Sequence, residues 1–290
     1  MEWENREESK NVDDRRRMSP KAGLALGGGG ILVLFVALLF GLDPKQVARL
    51  LGGAGVGGGG QEQVNTNRQF TAEEERYAKF TKVVFGDTEK VWSEQFARLG
   101  KEYKFPTLVL FCDRVSSACG MADSAVGPFY CPGDHNVYID VTFYVEMDKK
   151  LGAYGEFARA YVIAHEVGHH VQNLMGYSAR VDEARRRQPE AEANRMSVRL
   201  ELQADFLAGI WAHFGQKKFQ FLEPGDIESA MNAANKIGDD TLQRNATGTV
   251  RPEKFTHGTS KQRMKWFMLG FKTGDLSKAK LLFDLPYNEL

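Results

Sequence analysis

The chain carries no excess charge of either sign, with 38 Lys and Arg against 38 Asp and Glu. Nonspecific nucleic-acid binding needs a positive field and a disordered solvating chain carries an acidic one, so neither class fits. A nucleotide-driven machine is disfavoured too, because the glycine runs at residues 27–30 and 57–60 lack the Lys and hydroxyl that complete a phosphate loop. Cysteine is scarce. Cys112, Cys119 and Cys131 leave room for one disulfide, with three possible pairings. Apolar residues make up 42% of the 290, which is enough for a folded core of ordinary size.

What is present begins with an uncharged stretch at residues 22–42 (AGLALGGGGILVLFVALLFGL). As a helix it would cover roughly 30 Å, the thickness of a bilayer's hydrocarbon core. Arg15, Arg16, Arg17 and Lys21 precede it, and only Lys45 and Arg49 follow closely. The positive-inside rule then puts the N-terminus in the cytoplasm and the bulk of the chain outside, in the periplasm or beyond. Two readings compete: a cleaved signal peptide, opposed by the long acidic lead, and a buried helix, opposed by the four-glycine run. The chain thus divides into a disordered cytoplasmic tail (1–21), a transmembrane helix (22–42), a flexible Gly-rich linker (43–69) and one folded domain (70–290).

Within the domain, Thr71 opens a Thr-x-x-Glu capping box, and two helices are expected between it and Gly100. Residues 107–111 (TLVLF) and 136–140 (NVYID) read as strands, with a tight turn before the second. Helical spacing returns over 157–175, closed by Gly176, and over 191–214, 226–237 and 260–271. The fold class is therefore α+β, mainly helical with a small sheet.

The chemistry is concentrated in Y-V-I-A-H-E-V-G-H-H, where His165 and His169 stand four residues apart on one predicted helix. At 100° per residue their side chains lie about 40° apart, so both imidazoles can reach one Zn²⁺. Glu166 lies one step round that helix, where a carboxylate can take a proton from a water that the metal activates. A catalytic zinc site needs a third protein ligand. Glu201 in E-L-Q-A-D is the candidate, with Asp205 one turn on to accept the N–H of a ligand histidine. His213 and His257 are rival third ligands, and Met175 stands where a metzincin would place its third histidine. His257, in T-H-G-T-S-K-Q-R, is alternatively a donor to the oxyanion of a tetrahedral intermediate, a task Tyr130 or Tyr138 could also perform. His170 faces elsewhere and reads as a surface or supporting residue. Among the cysteines, a Cys119–Cys131 bridge would staple the connection between them and leave Cys112 as a buried thiol. A structural zinc site made by all three cysteines with His135 is the alternative.

These strings resemble a known family, the bacterial neutral zinc metallopeptidases, which are single-span membrane proteins of zincin type. The resemblance runs nearly end to end, through S-K-N-V-D-D-R-R-R, S-A-C-G, G-P-F-Y-C-P-G-D, H-E-V-G-H-H-V-Q, E-L-Q-A-D, I-G-D-D-T-L-Q and H-G-T-S-K-Q-R. H-E-V-G-H and E-L-Q-A-D are also similar to the wider gluzincin pattern, which implies His165, His169 and Glu201 as ligands and Glu166 as base. It further implies a zincin-like domain behind one transmembrane helix, anchored in the bacterial inner membrane.

The activity expected is zinc-dependent hydrolysis of a peptide or protein substrate by a metalloendopeptidase, with the substrate strand along the sheet edge near residues 136–140. Its partners would be that substrate and the lipid bilayer, with no nucleic acid and no nucleotide. The alternatives are a non-catalytic, membrane-tethered protein that binds zinc or peptide, and an enzyme acting on a cell-wall amide.

Overall fold

Every backbone amide of an α-helix needs a partner, and the first one here obtains its own from a side chain. The structure, a computed structural model, describes residues 1–17, 69–123, 127–146 and 155–290. Thr71 accepts from the backbone of Glu74, whose carboxylate reaches back to Thr71, and this capping box starts helix α1 (Ala72–Arg98). One helix replaces the two expected, and Gly86 shows why. A Cβ at Gly86 would lie 3.0 Å from the backbone nitrogen of Ser9, so the glycine admits the N-terminal chain and does not break the helix.

Strands β1 (Val12–Asp14), β2 (Thr107–Phe111), β3 (Arg114–Ser117), β4 (Gly120–Asp123), β5 (Phe129–Cys131) and β6 (Asn136–Asp140) form two sheets. The larger has the order β1-β2-β6-β5, with β1, β2 and β6 parallel and β5 antiparallel to β6; β3 and β4 make a separate hairpin. Side chains alternate across β2 and β6, as a period of two requires. Leu108, Leu110, Val137 and Ile139 face the main core. Val109, Phe111 and Tyr138 face a smaller cluster with Val115, Phe129 and Cys131. Because β6 lies between β2 and β5, it offers no edge to a substrate; the edge on that side is β5. The substrate position expected near residues 136–140 is corrected accordingly.

The helices that follow are α2 (Phe143–Glu146), α3 (Glu156–Met175), α4 (Tyr177–Arg187), α5 (Glu190–Phe219), α6 (Asp226–Lys236), α7 (Asp239–Thr247), α8 (Ser260–Thr273) and α9 (Leu281–Asp284). Gly176, in the left-handed region at φ 83°, ends α3 and turns the chain into α4. The long helix α5 runs through the core and packs on α3 and α8. Its contact with α8 is backbone to backbone. A Cβ at Gly270 would sit 2.1 Å from the carbonyl oxygen of Phe206, and one at Gly209 2.1 Å from that of Phe267. Gly270→Val is therefore expected to cost more than about 3 kcal/mol, because two rigid backbones must separate. A chemical-denaturation midpoint unchanged from wild type would show that this crossing is not as tight as described.

The observed class is α+β, mainly helical with a small sheet. Among the described residues, no helix is long and apolar enough to cross a membrane. The transmembrane helix at 22–42, and with it the expected bilayer contact and nearly all of the linker, lies outside the described residues.

The tail reading of residues 1–17 needs correction, since this segment is part of the fold. Trp3 is buried edge-on against Phe80, with ring centroids 5.4 Å apart, and its indole N–H donates to Glu156. Arg6 pairs with the buried Asp87 at 2.9 Å. Ser9 and Asn11 both donate to Glu89 at 2.8 Å. Composition made these residues look too polar to fold alone, but their polar groups have partners waiting on α1.

Candidate metal centre

Helix α3 carries His165, Glu166 and His169, while α5 carries Glu201 and Asp205. The two helices come close because position 168 is glycine: a Cβ there would lie 3.1 Å from the carbonyl oxygen of Ala204, which stands between the two acids in the chain. His165 Nε2 is 3.2 Å and His169 Nε2 3.6 Å from the same oxygen, Oε2 of Glu201. The ligand atoms of His165, His169 and Glu201 all lie within 4.8 Å of one another, a grouping that could hold a metal ion.

Each imidazole is oriented through its other nitrogen. His165 Nδ1 is 2.9 Å from Asp205 Oδ1, and His169 Nδ1 is 2.8 Å from Gln172 Oε1. Both acceptors require Nδ1–H, so Nε2 is the nitrogen turned toward Glu201 and the one a metal would take in place of a proton. Gln172 is fixed in turn by donating to the backbone carbonyl of Leu200 at 2.6 Å. Asp205 is held from the other side by Arg263, at 2.8 Å to one oxygen and 2.9 Å to the other, and by the hydroxyl of Tyr161. Burial alone would raise the Asp205 carboxyl; the charges of Arg263 and His165 outweigh it and hold the group down at about 2.

The site's charges favour a cation. Burial works against charge on both imidazoles, yet Asp205 and Glu201 lift His165 to about 9. For His169, burial is likewise overcome, here by Glu201. Glu201 stays well below the ordinary carboxylate range although burial opposes its ionisation, because His169 and His257 act on it. Glu166 differs: burial pushes it up, the two imidazoles compensate only in part, and its carboxyl accepts from the backbone of Tyr130 on edge strand β5.

His257 is buried next to this group without belonging to the three residues that could hold a metal. Its Nδ1 is 3.2 Å from Asp239 Oδ1, and Asp239 Oδ2 accepts the backbone N–H groups of Thr256, His257 and Gly258. The rival third ligand His213 points instead to the carbonyl oxygen of Phe271, at 2.8 Å. The two tyrosines are engaged elsewhere. The Tyr138 hydroxyl donates to Asp134 at 2.7 Å. His170 Nε2 donates to the carbonyl oxygen of Lys104, so its Nδ1 accepts from Tyr130; burial lowers this imidazole to about 4 and keeps it neutral. Cys119 and Cys131 form a disulfide that ties the β3–β4 turn to the end of β5, and Cys112, half-buried where a buried thiol was expected, takes no part in it.

Gln172, Asp239, Arg263 and Tyr161 escaped the reading of the sequence. The first three stand inside H-E-V-G-H-H-V-Q, I-G-D-D-T-L-Q and H-G-T-S-K-Q-R, so the strings were visible although their pairings were not.

The class of protein that emerges is an α+β domain whose helix pair brings together two histidines and one carboxylate that could hold a metal ion. Over residues 1–281 the chain matches the family described as "Putative neutral zinc metallopeptidase", and it belongs to that family. An uncharacterized protein of Escherichia coli (strain K12), YpfJ, is 46% identical over 282 residues, covering 95% of this chain and 96% of its own. An uncharacterized protein of Mycobacterium tuberculosis is 44% identical over 183 residues, 60% of this chain and 61% of its own. No solved structure matches. The family implies Zn²⁺, and two imidazoles with one carboxylate suit that ion while leaving a fourth position.

Proposed function

We propose that the protein is a zinc endopeptidase of zincin type, with His165, His169 and Glu201 as its metal ligands. Zinc, when bound, supplies Lewis acidity toward water and toward a substrate carbonyl. Glu166 takes the proton of the attacking water and returns it to the leaving amine. His257, oriented by Asp239, donates to the oxyanion that forms on the substrate, a role the hydroxyls of Tyr130 and Tyr138 do not fill because both are bonded away. The substrate strand lies along β5, whose Tyr130 backbone already turns toward Glu166.

The observation that carries this reading is a buried carboxylate beside both imidazoles that is not one of the three grouped ligands. A purely structural zinc site has no use for it. The test is metal analysis of the purified full chain followed by digestion of a peptide library. Stoichiometric zinc, cleavage abolished by a chelator and restoration by zinc are expected. Bound zinc with no peptide cut would favour the non-catalytic binding protein.

A further inference from the structure

The first 17 residues and the metal domain are one folded unit, although residues 22–42 were expected to part them. Strand β1 adds to β2 in parallel, pairing Val12 with Leu108, Asp13 with Val109 and Asp14 with Leu110. Ahead of it, Trp3 fills the core, and Arg6, Ser9 and Asn11 meet Asp87 and Glu89 on α1. Gly86 supplies the room for this path. The two ends of the intervening chain also meet: the guanidinium carbons of Arg16 and Arg17 lie 4.6 and 5.5 Å from the ring centre of Phe70. Arg16 further pairs with Glu75 at 3.2 Å.

A hydrocarbon core of roughly 30 Å cannot be placed between groups in contact. One crossing by residues 22–42 would put Arg17 and Phe70 on opposite faces. It would require residues 1–17 to be stripped out, exposing Trp3, opening the edge of β2 and leaving Asp87 and Glu89 buried without Arg6, Ser9 and Asn11. The charges behind the positive-inside argument are also partly neutralised, since Arg15 pairs with Asp13 and Arg16 with Asp14, each at 2.7 Å. We propose that residues 1–17 and 69–290 share one aqueous compartment, so that the apolar stretch between them does not divide the protein across a membrane. The disulfide assigns that compartment to an oxidising side. This inference stands apart from the chemistry of the metal centre.

Two measurements on the full chain in intact cells, in a Cys112→Ser background, test it. The first is labelling of Glu8→Cys and Lys254→Cys, both exposed positions, with a membrane-impermeant maleimide. The second is joining Glu7→Cys to Lys90→Cys by a short bismaleimide, since these side chains form an exposed pair at 3.1 Å. Equal labelling of both single positions without opening the cytoplasmic membrane, together with the cross-link, is the expected result. Labelling of one position while the other stays protected until the membrane is opened would overturn the proposal, as would failure of the cross-link to form.

Discussion

Glu166→Gln is expected to lower peptide hydrolysis by about 10²- to 10⁴-fold, the usual contribution of general acid–base catalysis, while zinc content stays at the wild-type level. The two readouts separate because Glu166 lies beside the imidazoles but outside the three grouped ligands. Glutamine matches the carboxylate in shape and can still accept from the backbone of Tyr130. What it cannot do is take a proton. In the metal-free protein burial holds the wild-type group above its ordinary range. Wild-type turnover by the variant would remove Glu166 from the mechanism.

The second large effect concerns metal affinity against pH. In the metal-free protein His165 holds its proton up to about pH 9, against an unperturbed value near 6.5, because Asp205 and Glu201 outweigh burial. Zinc needs the bare Nε2, so loading it releases that proton, and apparent affinity should climb about tenfold per pH unit between pH 6.5 and 9. His169 is raised as well and steepens the slope. The linkage has the opposite sign for the metal-free fold. A raised histidine contributes stability in full below 6.5 and loses it as pH rises through 9, so the metal-free melting temperature should fall over the range in which zinc binding strengthens. Competition against a chelator of known pH dependence, run beside thermal melts, measures both. A flat affinity profile would mean that these imidazoles are not the ligands.

How much of this was legible in the sequence depended on the range of the interaction. His165, Glu166 and His169 are related by helical spacing, which any chain displays locally, and Glu201 with Asp205 repeats that spacing on α5. Helices α3, α5, α6 and α8 were readable for the same reason, whereas the shorter α4, α7 and α9 were not. The partners of the site residues were not. Asp239 meets His257 and Arg263 meets Asp205 across turns and helix crossings, and nothing in composition tells a buried acid awaiting a distant base from one facing solvent. Strands of three or four residues, such as β1, β4 and β5, are too short to show alternation. Residues 1–17 failed most instructively: their charge suggested solvent, yet the complement of that charge lies far along the chain on α1, at Glu75, Asp87 and Glu89.

The glycine contact between α5 and α8 bears on how this centre could be transplanted. A designer who lifted only the two helices bearing His165, His169 and Glu201 would carry the donors but lose Arg263, which fixes Asp205 and through it the ring of His165. The smallest portable unit therefore extends to Thr273, with Gly209 and Gly270 kept as a matched pair. A scaffold that spaces these helices at an ordinary side-chain distance would hold the metal loosely, however faithfully its three donors were copied.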